Sequence, residues 1–266
     1  MEIRELKTLS QADRTTDALQ ENAAQAITTV NELLKLIRPS KPSFRSGSVN
    51  NVLVEASSAS PKVFKIGNAW HEITSEILCD LRRTGAGGLD RGSMAANSCY
   101  YLYAVYVDRR VQLVASLHPP TIGPEIAAEW TYLGAFLANA ASVVAPFVSV
   151  GGRYFANTYW GGSGSIQTTT PTAYTISPLP TTASAVWGLM SVFSTTIGDL
   201  GFAHGTDSSL YSALESLTQA GAGVSIETYG WVPLLASPTI YLRVNNVRAT
   251  VRFWPSGWQE SPEEWK

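Results

Sequence analysis

Short runs of β-forming residues, separated by glycine, proline and other turn-forming residues, recur through most of this 266-residue chain. KVFKIG, AWHEIT and TIYLRVNN are three examples. Runs of this length with frequent turn signals are typical of β-sandwiches and barrels, because each strand is short and then reverses direction. The sequence therefore predicts a mainly β protein whose body is a β-sandwich or a jelly-roll-like arrangement.

The strongest of these patterns lies between residues 98 and 117. SCYYLYAVYV and RVQLVASL flank a DRR segment, which predicts a hairpin with a tight turn around Asp108 and Arg109. The four tyrosines of the first run alternate imperfectly, so both faces of that strand carry rings. Large side chains on both faces are expected for a central strand of a sandwich or for a strand at a subunit contact.

The N-terminal segment has a different pattern. Neither proline nor glycine occurs from Ser10 to Arg38, and Pro39 provides a stop signal. The apolar residues follow alternating spacings of three and four, which is the heptad pattern of a coiled coil. We predict a long α-helix over residues 1–38 that forms a coiled coil or docks on a partner; an amphipathic helix packed on its own domain is the alternative. The predicted oligomerisation contacts are Leu19, Ala23, Ala26, Val30, Leu33 and Ile37.

These patterns divide the chain into five segments. After the helix of residues 1–38, the proline- and serine-rich stretch RPSKPSFRSGS predicts a linker over residues 39–48. The stretch WGGSGSIQTTTPT divides the β body into two halves, residues 49–160 and residues 161–255. Residues 256–266 are polar and contain a proline, so a tail that is loose or docked elsewhere is expected.

Charge is sparse in this chain. Charged residues make up 15% of the sequence, against roughly 25% in typical soluble proteins, which suits a protein with many close neighbours or one whose β faces are covered by serine and threonine. Basic residues cluster only as the pairs at 82–83 and 109–110 and the net charge is -2, so we expect no nucleic-acid partner. Because the N-terminus is charged, we expect no secretory signal. Because the chain lacks a long apolar run, we expect no membrane insertion.

Two adjoining stretches carry a family resemblance. GGLDRGSMAANSCYYLYAVYV is followed by PPTIGPEIAAEWTYLGAFLAN. Together they resemble β-domains in virion proteins of tailed bacteriophages, where an LD-x-G-x-x-A-x-N-T/S-x-Y-Y-x-Y segment precedes P-x-x-P and then a Y-x-x-x-G-A/S strand. LPTTASAVWGLMSV is similar to the strand that opens the second half of such domains. The resemblance covers roughly residues 85–200; the N-terminal helix and the IGPEIAAEW segment depart from it.

The resemblance implies a structural role in a virion. It points to a component of a tail fibre, a head fibre or another appendage or adaptor, made in the host cytoplasm and then located in the virion. Such proteins usually act as symmetric oligomers, of which a trimer is favoured here, with other virion proteins as partners. The family motifs are patterns of core and turn residues, so they imply neither an enzyme nor a cofactor.

Patterns that would carry chemistry are weak in this sequence. HEITS lacks the second histidine of a zinc-binding H-E-x-x-H motif, and TGAGGLDRG lacks the lysine of a phosphate-binding loop. GFAHGTDSS groups a histidine, an aspartate and a serine, but such residues in a glycine-rich loop usually cap turns. We therefore expect no metal site and no catalysis. Carboxylates considered for sugar hydrolysis, with no sign that any two face one cleft, are Glu72, Glu76, Glu125 and Glu129.

Eight tryptophans support an alternative function. Aromatic rings on loops can stack on sugars, which would suit a receptor- or carbohydrate-binding module that attaches to host surface glycans. The competing interpretation places the tryptophans in the core or in an interface, because tryptophan buries a large apolar area. The candidate glycan contacts are Trp160, Trp231 and Trp258.

Overall fold

The described part of the chain is built from β-strands. The computed structural model describes residues 42–160, 162, 165–194, 198–205, 215–219, 225–234, 238–244 and 248–261, all within one compact unit that spans residues 41–266. Within these ranges the secondary structure consists of β-strands without an α-helix, which confirms a mainly β protein. The helix predicted over residues 1–38, with its six oligomerisation contacts, lies outside the described residues.

Several consecutive strands are joined by tight turns of two or three residues, as the sequence pattern predicts, and others are joined by longer loops. Many of the strands begin or end beside glycine, proline or serine, which adopt turn conformations readily. In chain order they are β1 (Phe44–Ser48), β2 (Asn51–Val54), β3 (Lys62–Ile66), β4 (Ala69–Ile73), β5 (Ile77–Asp80), β6 (Ser98–Val107), β7 (Arg110–Ser116), β8 (Trp130–Ala138), β9 (Phe147–Val150), β10 (Arg153–Ala156), β11 (Thr172–Thr175), β12 (Ala183–Ser194), β13 (Gly198–Gly205), β14 (Glu215–Gln219), β15 (Ser225–Pro233), β16 (Thr239–Val244) and β17 (Ala249–Glu260).

The described strands form four sheets. The eight-stranded sheet has the order β15-β12-β17-β10-β9-β1-β2-β5, and the four-stranded sheet has the order β11-β16-β13-β14. A three-stranded sheet has β6 between β7 and β8, and β3 pairs with β4 as a two-stranded hairpin. The registers of these strand pairs are antiparallel, both in the hairpins and between strands that are distant in the chain.

The two predicted β halves have separate cores but share one sheet. In the first core, rings of the three-stranded sheet pack against β1, β9 and β10. In the second core, β16 packs against β12, β15 and β17. Strand β10 of the first half nevertheless pairs with β17 of the second half, with Tyr154 opposite Trp258. The boundary predicted at residues 160–161 therefore separates two cores and does not separate two sheets.

The predicted hairpin is confirmed. Strands β6 and β7 pair up to Val107 and Arg110, and the two residues between them have positive φ angles, 52° at Asp108 and 62° at Arg109. Two consecutive positive φ angles define the turn whose twist matches that of the flanking strands. Since β6 is the central strand of its sheet, most of its rings are buried within the chain itself. Tyr106, near its end, is 46% exposed.

Two predicted irregular segments contain strands. Phe44 begins β1 inside the predicted linker, is buried, and meets Phe147 edge-on at 5.6 Å between ring centroids. At the other end, β17 continues to Glu260, so the predicted tail is wrong up to that residue. In both segments an aromatic side chain enters the first core, and the apolar area it buries outweighs the polar composition of its neighbours.

Asp90 joins the two stretches that carry the family resemblance. Its buried carboxylate accepts hydrogen bonds from the Ser116 hydroxyl at 2.9 Å and from the backbone N–H groups of Glu125 and Ile126 at 2.9 and 3.0 Å. Gly92, two residues later, has a φ of +69°, which glycine adopts at little cost. These contacts give a physical reason for an L-D-x-G sequence upstream of the loop that contains the proline pair.

Candidate functional site

The second core covers only one face of the eight-stranded sheet. Because side chains alternate along a strand, Val186, Met190 and Val192 of β12 enter the core, whereas Trp187 and Phe193 lie on the opposite face. Strand pairing aligns that opposite face with side chains of β15, β17 and β10. The face therefore presents rings from several strands of one sheet.

We define the aromatic face as Phe155, Tyr159, Trp187, Tyr229 and Trp231. The ring centroids of Trp187 lie 5.4 Å from Trp231 and 6.2 Å from Tyr229, and those of Phe155 and Trp231 lie 6.1 Å apart. The hydroxyls of Tyr159 and Tyr229 are 2.7 Å apart, and this hydrogen bond raises the pKa of Tyr159 to about 12. The Tyr159 hydroxyl is therefore protonated at neutral pH.

Gly257 makes room for these rings. It lies between Phe155 and Trp187 in the strand register, and it leaves no side chain between them. A Cβ atom at this position would lie 2.5 Å from the Tyr154 carbonyl oxygen, closer than packed atoms can approach. The glycine thus permits close strand pairing and allows rings from strands that are not neighbours to meet.

The aromatic face is exposed and carries few charges. Tyr229 is 54% exposed, and Tyr159 and Phe193 are also exposed. The Arg153 guanidinium lies 5.8 Å from the Trp231 ring centroid, a cation–π contact. Exposed apolar side chains continue across the same sheet at Val148 and Val150 of β9. Rings and exposed apolar side chains that share one sheet face make this face a candidate binding surface.

The structure separates the three tryptophans predicted to contact glycans. Trp231 lies on the aromatic face and is half-buried. Trp258 is 0% exposed and stacks on Tyr154 at 3.7 Å, so the prediction is wrong for this residue. Trp160 is also turned inward: its Nε1 donates to the Pro178 carbonyl oxygen at 3.0 Å, and its ring meets Trp258 edge-on. Both rings belong to the first core because β17 brings Trp258 there.

The other members of the aromatic face were missed at the sequence level. Tyr229 and Trp231 alternate around Gly230, which is a signal that both rings share one strand face. Nothing local indicates that Trp187 pairs opposite Trp231 or that Phe155 lies in the same row. Those positions follow from the pairing of strands that are far apart in sequence.

A cleft of about 1160 Å³ is the second candidate site. It lies between β4, the turn at residues 74–76 and the turn that joins β6 to β7. Trp70, which is 57% exposed, and Tyr106 contribute rings, and the His71 ring stacks on Tyr106 at 4.1 Å. The cleft brings together Glu72 and Glu76, two of the four carboxylates considered for sugar hydrolysis.

The other two of those carboxylates do not line this cleft. Glu125 forms an ion pair with Arg91, at 2.8 Å between the carboxylate and guanidinium groups. Of the histidine, aspartate and serine grouped in GFAHGTDSS, His204 lies in β13, while Asp207 and Ser208 fall outside the described residues. That grouping therefore stays a sequence-level hypothesis.

A buried carboxylate lies at the end of β17, away from both candidate sites. Glu260 is 2% exposed, and its Oε1 accepts hydrogen bonds from the Tyr132 hydroxyl at 2.6 Å, the Ala135 N–H at 3.0 Å and the Thr182 hydroxyl at 3.3 Å. Loss of hydration and the nearby Glu260 carboxylate hold the pKa of Tyr132 well above its usual range. Because three donors of the chain itself bind its Oε1, we assign Glu260 a structural role.

The thiols are protected from reaction. Cys79 is buried, and loss of hydration raises its pKa to about 12. Burial also raises the pKa of Cys99. Because the thiolate is the reactive form of cysteine, these residues are poor nucleophiles at neutral pH.

The comparisons leave the family open. No protein-family model matches this chain, and the comparison with curated proteins gives no match. Within the described ranges there is no group of three or more histidine, cysteine, aspartate or glutamate side chains that could bind a metal ion. Nor do these ranges contain a helix of the length and hydropathy needed to cross a membrane.

Proposed function

We propose that this chain is a structural protein of a tailed-bacteriophage virion, a component of a tail fibre, head fibre or other appendage or adaptor. In this proposal it assembles as a symmetric oligomer, with a trimer favoured, and presents its β body at the particle surface. The observation that carries the proposal is the aromatic face, which one copy leaves exposed. Tyrosine, tryptophan, phenylalanine and arginine are the residues enriched in protein–protein interfaces.

Two further observations support the proposal. The segments that resemble phage virion proteins lie in one structural unit and are tied together by the buried carboxylate of Asp90. The three-stranded and four-stranded sheets pack against the eight-stranded sheet at two places, which is compatible with a β-sandwich body. The predicted helix of residues 1–38 would add a second assembly contact in this proposal.

The molecular mass of the purified protein in solution tests the assembly proposal. We expect the full chain to be oligomeric, and we expect Tyr229→Glu to raise the dissociation constant by about 30-fold or more, because the interface would bury an unpaired charge. Trp70→Glu is the matched control, since it places the same charge at an equally exposed ring outside the aromatic face. Sedimentation equilibrium measures both variants.

Two outcomes of this experiment would contradict assembly through the aromatic face. One is a full chain that stays monomeric throughout the micromolar range. The other is a Tyr229→Glu variant that associates as tightly as the unaltered protein. A further variant that lacks residues 1–38 distinguishes assembly through the aromatic face from assembly through the helix. If this variant dissociates and Tyr229→Glu does not, the helix holds the oligomer together.

A second candidate function is a carbohydrate-binding module for host attachment. Trp231 favours it, because this ring lies beside Tyr229 on an accessible face and has Arg153 close by as a hydrogen-bond donor. A flat ring can stack on the apolar face of a sugar, and a guanidinium can bind its hydroxyls. Assembly and glycan binding would use the same surface, so they exclude each other there.

Binding of host surface glycans to the Trp231→Ala variant tests this candidate. We expect about tenfold weaker binding if Trp231 contacts the glycan, because a central aromatic contact of this kind carries about 1–2 kcal/mol. Isothermal titration calorimetry measures the affinity, and Phe193→Ala provides a control at another exposed ring of the same sheet face. An unchanged affinity in Trp231→Ala removes this residue from the glycan site.

A further inference from the structure

We propose that the cleft between β4 and the β6–β7 turn is a binding site for a neutral oligosaccharide. This site is distinct from the aromatic face, and it involves neither the predicted helix nor any of the three tryptophans selected from the sequence. It adds a ligand to the proposed structural role. The proposal depends on three properties of the cleft: its size, its exposed rings and its nearly balanced charges.

The size of the cleft suits a ligand made of several sugar units. Its volume of about 1160 Å³ lies above the roughly 300–1,000 Å³ typical of pockets for small molecules. Its walls come mainly from two pieces of the chain, residues 70–80 and the β6–β7 turn, with further residues from the loop at 83–87 and from Ile126. The positive φ angles at Asp108 and Arg109 fix the conformation of the β6–β7 turn.

Two exposed rings provide stacking surfaces in the cleft. Trp70 is 57% exposed and Tyr106 is 46% exposed, although tryptophan and tyrosine usually bury most of their area. The Tyr106 ring is held in place by the His71 ring, which stacks on it at an interplanar angle of 28°. A held, accessible ring can pack against the C–H groups of a sugar at little cost in conformational entropy.

Planar polar groups surround these rings. Trp70 and Glu72 lie on one face of β4, and His71, which stacks on Tyr106, lies on the other, because successive residues of a strand point to opposite sides. Residues of both faces line the cleft. Carboxylates accept and guanidinium groups donate paired hydrogen bonds, and neighbouring sugar hydroxyls can satisfy both kinds of group. The exposed polar side chains that line the cleft are Glu72, Thr74, Ser75, Glu76, Arg83, Asp108, Arg109 and Arg110.

The charges of the cleft favour a neutral ligand. Four lining residues are acidic and three are basic, which leaves a net charge of -1; they are Glu72, Glu76, Asp80 and Asp108 against Arg83, Arg109 and Arg110. A polyanionic ligand would meet no excess of positive charge here. Binding without cleavage is proposed, because Glu72 and Glu76 are both exposed and a carboxylic acid that donates a proton near neutral pH requires a buried environment.

Calorimetric titration of the full chain tests this site. The probes are two neutral hexasaccharides, maltohexaose and cellohexaose, and one acidic hexasaccharide of alginate. We expect at least one neutral probe to bind, and we expect Trp70→Ala to weaken that binding about tenfold or more, as loss of a stacking ring does. Tyr106→Ala should weaken it as well. Both rings are exposed, so neither variant should change the melting temperature.

Phe193→Ala is the matched control, since it removes an exposed ring from another face of the molecule. Unchanged affinity in this control, together with a loss in Trp70→Ala, supports the cleft. The proposal is overturned if neither neutral probe binds, if the alginate probe binds more tightly than both, or if Trp70→Ala binds as the unaltered protein does. Because assembly is read from molecular mass, failure of the cleft proposal is distinguishable from failure of the structural role.

Discussion

Replacing Glu260 with alanine is expected to lower the free energy of unfolding by about 4 kcal/mol, which corresponds to a melting temperature lower by about 8–16 °C. The Tyr132 hydroxyl and the Ala135 N–H would each lose a charged acceptor within 3.0 Å. Each buried donor that loses its acceptor costs about 1–3 kcal/mol. Water cannot replace the carboxylate easily, because only 2% of Glu260 is exposed.

Differential scanning calorimetry at a fixed protein concentration measures this effect. Glu260→Gln keeps an amide oxygen that can accept the same hydrogen bonds, so we expect a smaller loss of about 1–2 kcal/mol. Glu55→Ala is the matched control, because it removes an exposed glutamate that is paired with Arg45 and exposed ion pairs contribute about 0–1 kcal/mol. Equal melting temperatures of Glu260→Ala and Glu55→Ala would contradict a structural role for Glu260.

Trp258→Ala is expected to lower the free energy of unfolding by about 3–5 kcal/mol, because removal of a buried ring leaves a cavity. The ring is 0% exposed, stacks on Tyr154 at 3.7 Å and meets Trp160 edge-on at 5.7 Å between centroids. It also lies where β10 pairs with β17, so its loss weakens the connection between the two cores. Urea unfolding, followed by circular dichroism, measures the change.

Trp258→Phe refines this prediction. The Trp258 Nε1 is buried and has no hydrogen-bond partner in the described structure, so phenylalanine removes an unsatisfied donor as well as part of the ring. These effects oppose each other, and a net loss below about 2 kcal/mol is expected. Trp70→Ala, at an exposed ring, should change stability by less than about 0.5 kcal/mol. A Trp258→Ala protein as stable as Trp70→Ala would contradict the burial of Trp258.

Local features of the fold were predictable because their causes are local. The β6–β7 hairpin could be predicted since both strands and their turn lie within 20 consecutive residues, and alternation placed rings on both faces of β6. The prediction of irregular structure was wrong in two segments. In each of them one aromatic residue, Phe44 or Trp258, is buried in the core although its neighbours are polar. Composition describes a whole segment, whereas burial depends on individual side chains.

The sequence by itself determined the strand class and the position of the best hairpin. Only the tertiary structure decided that Trp258 is buried while Trp231 lies on an open face, and that Glu72 and Glu76 share a cleft. Alternation assigns side chains to two faces of a strand, but it does not say which face meets the core. That choice depends on pairings such as β10 with β17, whose residues lie about 100 positions apart in the chain.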